Sequence, residues 1–170
     1  QELTAKKWWQ KKEVQAFSFA EDVSLPQKTQ GDIEVSYLSS KVRYTYDTEK
    51  ECYWRYIGKE KCIDENSQEQ LAVSNIIVQK VKSKVLDQEG RLSIDLVGSG
   101  EAYFFTKGGF TACTWQKDDL NSRTVYLLAD GSEITLTPGK TWIQIIDQNT
   151  NLQYEIVAEQ AEQKDHKNGL

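Results

Sequence analysis

The stretch Asp32-Ile-Glu-Val-Ser-Tyr37 (DIEVSY) sets Ile33, Val35 and Tyr37 against Glu34 and Ser36. Side chains of an extended chain point alternately to opposite faces, so a spacing of two predicts a strand with one buried and one wet face. The pattern recurs at Val42, Tyr44 and Tyr46 against Arg43, Thr45 and Asp47. After a turn at Asp47 to Lys50 (DTEK), Cys52 to Ile57 (CYWRYI) reads as the second arm of an aromatic hairpin.

Downstream the same grammar continues. Asn75 to Leu86 (NIIVQKVKSKVL) is rich in β-branched residues and turns at Asp87 to Gly90 into the alternation Leu92, Ile94, Leu96. Strands are expected at Ala102 to Thr106, Phe110 to Trp115, Thr124 to Leu128, Glu133 to Leu136 and Thr141 to Ile146. Turns at Lys107 to Gly109, Asp130-Gly131 and Pro138-Gly139 join them, and Gly98-Ser-Gly100 (GSG) also reads as a turn. Glu65 to Ala72 is polar and predicts a short helix capped by Asn66 or Ser67. About ten short strands with frequent turns indicate a mainly β fold, an antiparallel meander forming a sandwich or a partly open barrel.

Upstream, Leu3 to Lys12 carries Leu3, Ala5, Trp8 and Trp9 on a lopsided apolar face and predicts a short helix. Ser24 to Gly31 has linker composition, the strand signal decays from Gln148, and the polar stretch Glu159 to Leu170 predicts a mobile or weakly helical tail. The expected division is therefore residues 1–31 as helix and linker, 32–147 as the β-rich domain, and 148–170 as the tail. Because the chain opens on Gln1 inside a helical pattern, it reads as part of a longer protein.

The composition of the 170 residues excludes several functions. A net charge of −5 opposes the phosphate neutralisation that nucleic-acid binding requires. No apolar run approaches the ~20 residues of a membrane-crossing helix. The single histidine, His166, lies in the expected tail, so a Ser-His or Cys-His nucleophile pair has no base in the folded region. No phosphate or dinucleotide motif is present, which gives no reason to expect a cofactor. Cys52, Cys62 and Cys113 have neither the paired spacing nor the histidines of a zinc site, so no metal is expected. Cys52 and Cys62 could face each other across a hairpin as a disulfide, or all three cysteines could be small apolar fillers. Asp47, Asp64, Asp95 and Glu101 could supply the two carboxylates of a glycosidase, but 26 acidic residues make any such pair unspecific.

The CYWRYI strand offers a sharper hypothesis. Tyr53 and Arg55 share one face and Trp54 and Tyr56 the other, and arginine beside aromatics suits contact with carbohydrate, peptide or protein. The alternative is that Arg55 pairs with Asp64 or another acid to close the hairpin. Trp115 with Lys117, and Trp142 with Lys140, read as tryptophans beside solvated lysines. The candidate binding set is Tyr53, Arg55, Asp64, Trp115 and Lys117.

The ordered series Tyr44 to Asp47, Tyr53, Arg55, Gly58, Asp64, Gln70-Leu71 and Asn75 to Gln79 (NIIVQ) resembles the YerB-like lipoproteins of Gram-positive bacteria. The likeness is closer downstream, in Gly90 to Leu96 (GRLSIDL), GSG, Thr114 to Lys117 (TWQK), Asp130-Gly131 and Leu136 to Ile143 (LTPGKTWI), and covers Asp32 to Asp147. The resemblance implies a domain of unknown function, preceded by another domain of which residues 1–31 are a remnant. It also implies a parent protein on the outer face of the cell membrane, held only through a lipid anchor upstream of Gln1. Members carry a histidine two residues before the aspartate that matches Asp64; Cys62 in its place weakens a functional role for that turn and favours a Cys52–Cys62 link. The expected function is a non-catalytic extracytoplasmic binding or scaffolding domain of the cell envelope. A domain for cell-wall glycan or peptide is the alternative, and a carboxylate hydrolase ranks last. An apolar strand edge would favour a protein partner, a groove lined by several tryptophans a glycan, and two facing acids with one raised pKa an enzyme.

Overall fold

The computed structural model describes residues 16–157 except Leu38. The helix expected at Leu3 to Lys12 and the tail beyond residue 157 lie outside the described residues. Fifteen strands follow one another: β1 (Ser18–Phe19), β2 (Gln27–Ser36), β3 (Lys41–Asp47), β4 (Cys52–Ile57), β5 (Glu60–Lys61), β6 (Ala72–Val73), β7 (Asn75–Val81) and β8 (Ser83–Val85), then β9 (Leu92–Ile94), β10 (Gly98–Thr106), β11 (Gly109–Lys117), β12 (Val125–Leu127), β13 (Thr135–Leu136), β14 (Thr141–Asp147) and β15 (Asn151–Ile156). Eleven form one sheet in the order β14-β7-β10-β11-β2-β3-β4-β5, with β12 on β11, β15 on β2 and β6 on β4. The sheet curls into an open half-barrel, the mainly β architecture expected. Its neighbours run antiparallel except at the edge, where β14 lies parallel to β7 from Thr141↔Asn75 to Asp147↔Val81.

β7 lies where two cores meet. NIIVQKV is apolar on both sides because both sides are covered. Ile76 and Val78 join a core with Ile33, Val35, Val42, Tyr44, Tyr53, Phe105 and Phe110 inside the curl. Ile77 and Val81 join a second core with Phe104, Trp115, Tyr126, Ile134 and Leu136 on the outer side. The Lys107-Gly108 turn between β10 and β11 holds both residues at positive φ (48° and 66°), as a two-residue hairpin requires. Its Gly108 N–H donates to the buried Tyr53 hydroxyl at 3.0 Å, fastening β4 beneath the turn.

Several expectations need correction. Gln27 to Gly31, read as linker, is the first half of β2. Asn151 to Ile156, read as tail, is β15, antiparallel to β2 from Asn151↔Ser36 to Ile156↔Thr29. Its Tyr154 ring packs 4.6 Å from Phe110 and 5.5 Å from Phe105. GSG is no turn but the start of β10, with Gly98, Ser99 and Gly100 opposite Lys117, Gln116 and Trp115. No Cβ fits on Gly100, because the Trp115 indole lies across it. Glu65 to Ala72 forms a turn instead of a helix: the Asp64 carboxylate accepts the backbone N–H groups of Asn66 (3.0 Å) and Ser67 (2.8 Å), so the capping residue precedes both proposed caps.

Candidate functional site

The half-barrel opens between β3–β4 and the edge strand β14, and side chains span the opening. β14 alternates like any strand, directing Trp142, Gln144 and Ile146 inward while Ile143 and Ile145 stay exposed. The Tyr44 hydroxyl, from β3, donates to Gln144 Oε1 at 2.7 Å, and Trp142 Nε1 donates to the same oxygen at 3.1 Å. Gln144 Nε2 donates to the Tyr37 hydroxyl, whose own proton is directed at the Ile145 carbonyl. Burial pushes the pKa of both tyrosines up, against the opposing pull of Arg55, so their hydroxyls remain protonated donors.

Arg55 lies in the middle of this array. Its guanidinium stacks 4.4 Å from the centre of the Trp142 ring and donates Nη1–H to Cys62 Sγ at 2.8 Å. Its Nε is buried without a partner. Three of the four arginines hold carboxylates, Arg43 with Asp32, Arg91 with Asp87 and Arg123 with Glu133, whereas among the described residues Arg55 has no acidic partner. The Asp64 considered as its counter-ion is committed to its own turn, and the two N–H groups it accepts hold its carboxyl below the usual range.

The rest of the candidate set does not gather here. Tyr53 is fully buried beneath the β10–β11 turn. Trp115 belongs to the outer core, its Nε1 donating to the Lys80 carbonyl at 2.6 Å, and Lys117 donates to the Ser122 carbonyl. All three cysteines are free. Cys62 faces Arg55, three residues along β4 from Cys52 and on the opposite face. That separation is about 10 Å, beyond the ~7 Å Cα reach of a disulfide, so the expected Cys52–Cys62 link does not form in this structure.

Of the acids proposed for hydrolysis, Asp47 and Asp64 are engaged in separate turns, while Asp95 and Glu101 line one polar cleft beside Lys80. Asp47 accepts Trp54 Nε1 and the N–H groups of Glu49 and Lys50, and Glu101 lies 3.4 Å from Lys80. Every described carboxyl whose pKa departs from the ordinary value is lowered, by hydrogen bonds that favour the charged form. A general acid needs the opposite shift. Nor do the described tryptophans share a groove: Trp54 bonds to Asp47 beneath Lys50, Trp115 is core, and Trp142 lies under Arg55.

A second surface adjoins the first. β8 and β9 form a separate hairpin that projects from the end of β7, tied at its base where Asp147 accepts Ser83 N–H (3.0 Å) and Ser83 O–H (2.7 Å). Val85, Leu86, Leu92 and Ile94 are 64%, 59%, 54% and 44% exposed on it. Between this arm, Tyr37 and β14 runs a mainly apolar groove of about 690 Å³, lined by Leu92, Ile94, Ile145 and Ile146. On the other side of the arm lies a polar cleft of about 670 Å³, lined by Lys80, Lys82, Asp95, Glu101 and Gly98 to Gly100. Sequence reasoning missed Tyr37, Tyr44, Gln144 and the aliphatics of arm and edge as site residues. The alternation of Ile143 and Ile145 with Trp142 and Gln144 was the available signal for the edge.

The chain resembles known proteins along most of its length. Residues 33–143 match the family model described as "Protein of unknown function (DUF3048) C-terminal domain". "Putative lipoprotein YerB" of Bacillus subtilis (strain 168) is 29% identical over 140 residues, spanning 80% of this chain and 41% of the relative. The crystal structure of YerB protein from Bacillus subtilis superposes with a TM-score of 0.69 at 25% identity, covering 89% of this chain and 51% of that one. The chain thus spans about half the length, or less, of the relatives it matches. It belongs to the DUF3048 family, of which residues 33–143 form the carboxy-terminal domain.

Proposed function

We propose that this is a non-catalytic binding or scaffolding domain of a cell-envelope lipoprotein, outside the cytoplasm, that holds an extended apolar segment of a partner protein between the β8–β9 arm and β14. The observation that carries the reading is the run of six exposed aliphatic side chains, Val85, Leu86, Leu92, Ile94, Ile143 and Ile145, along one arm and the adjoining sheet edge. Contiguous apolar surface of this kind characterises docking sites on soluble domains. A strand laid along an edge gains backbone hydrogen bonds while its alternate side chains fill the groove. The lipoprotein setting rests on the relative's name alone.

The test is a pull-down from cell-envelope extract with this chain as bait, beside sedimentation with isolated peptidoglycan. A defined protein retained by wild type and lost with Leu92→Ser/Ile94→Ser, while peptidoglycan leaves the chain in the supernatant, supports the reading. Both leucine and isoleucine are exposed, so the double variant should keep the fold. Sedimentation with peptidoglycan, or a retained protein indifferent to the double variant, overturns it.

A further inference from the structure

We infer that Arg55 and its surround form a receptor for a carboxylate group. A guanidinium partly withdrawn from water normally has an acid opposite it, as the half-buried Arg43 and Arg123 do and even the exposed Arg91 does. Arg55 instead has the face of Trp142 behind it, the Cys62 sulfur at one Nη and the hydroxyls of Tyr37 and Tyr44 nearby. The Trp142 ring backs the guanidinium at 4.4 Å, and the planar fork of donors matches a carboxylate in two parallel hydrogen bonds. A thiol is a weak acceptor that an oxyanion readily displaces.

The surround is ordered in advance. Gln144 holds Trp142 through Oε1 and Tyr37 through Nε2, while Tyr44 anchors Gln144 from the opposite wall. A ligand carboxylate therefore meets side chains already in place, and little ordering is left to oppose binding. Spare acids are abundant on this protein, 26 against 21 lysines and arginines, yet none of the described ones reaches Arg55. The ligand class is a carboxylate, from a peptide C-terminus or an acidic side chain. Because Tyr37 lines both this array and the apolar groove, a partner segment could satisfy both, but the receptor stands without the groove.

The experiment is a titration of the ¹⁵N-labelled full chain, following the Arg55 Nε–H and Trp142 indole resonances. The probes are sodium acetate against sodium chloride at equal ionic strength, then acetyl-tetraalanine as acid and as amide, and acetyl-Ala-Asp-Ala-amide. Saturable shifts of both resonances with the acids, absent with chloride and the neutral amide, are expected. Tighter binding of the tetraalanine acid than of the aspartyl peptide assigns a C-terminus, and the reverse order an acidic side chain. Arg55→Lys should weaken binding at least tenfold and Arg55→Gln abolish it, whereas Leu92→Ser/Ile94→Ser should leave it unchanged. Equal shifts with acid and amide, or undiminished acid binding by Arg55→Gln, would overturn the inference. The acid-against-amide comparison on wild type decides the matter even if Arg55→Gln fails to fold.

Discussion

Replacing Gly100 by alanine tests the reading of GSG as a strand stripped of side chains to admit an indole. A Cβ there would lie 2.6 Å from Trp115 Nε1 and 3.0 Å from the Lys80 carbonyl oxygen, the two atoms joined by a 2.6 Å hydrogen bond. The indole must move, and its hydrogen bond goes with it. Leaving that buried pair unmade costs roughly 1–3 kcal/mol, and forcing an extra methyl into a filled layer about 1–3 kcal/mol more. Gly100→Ala should therefore destabilise by about 2–6 kcal/mol, a large share of the ~5–15 kcal/mol typical of a domain. In a Trp115→Leu background the ring is gone, and the same substitution should cost less than about 1 kcal/mol, since alanine is otherwise the better strand residue. Urea unfolding of the four proteins, with unchanged m-values, reads the cycle directly. Effects that add within about 0.5 kcal/mol would show that Gly100 and Trp115 do not share the space, and the reasoning would fail.

Tyr53→Phe should lower stability by about 1–3 kcal/mol by stranding the Gly108 N–H, while leaving partner and carboxylate binding unchanged; altered binding with unaltered urea midpoint would return Tyr53 to the binding set. Burial pushes the Cys113 thiol up to about 12, so near pH 8 it should ignore a thiol reagent that labels only other cysteines, as peptide mapping of the labelled native protein would show. Oxidation of the native chain should yield no Cys52–Cys62 bridge by mass spectrometry. The Ser83 hydroxyl, with the Asn149 and Ser83 N–H groups, holds the Asp147 carboxyl below its ordinary 3.8. Its folded pKa being depressed, the tie is in force above pH 3.8 and is lost as pH falls through the folded value, so Ser83 amide protection in hydrogen exchange should fall there. Asp147→Asn should lose that acid step, and persistence of the step would refute the assignment.

Period-two alternation was enough to locate the second half of β2, β3 and β4, because each sets one face against a core and the other toward water; β-branched and aromatic content located β7 and β11, and β9 alternates although its Leu92 and Ile94 stay exposed. It failed in instructive places. In β10 the glycines gave no side chain to alternate, so a strand looked like a turn. In β15 the alternation of Leu152, Tyr154 and Ile156 was present but hidden among polar neighbours, and its burial depends on β2, more than a hundred residues away. The site was legible only in part. Arg55 stood out as a cation among aromatics, yet its neighbours Trp142 and Gln144 come from the parallel return of β14, which local patterning cannot reveal. Its lack of an acid was equally invisible, since Asp64 was close in sequence and only its turn geometry withdraws it.

The pairing of β2 with β15 also has a bearing on how the chain comes into being. Thr29 sits opposite Ile156, so β2 waits for residues more than a hundred positions later before its hydrogen bonds are complete. Until then β2 has β3 on one side and, on the other, only the two-residue bridge at Gln27 and Lys28 to β11. Contacts this distant in sequence are slow to form, and the sheet stays open along this side of β2 until β15 has been made. Closure of this side of β2 therefore depends on β15 alone, however much of the remaining sheet has already formed.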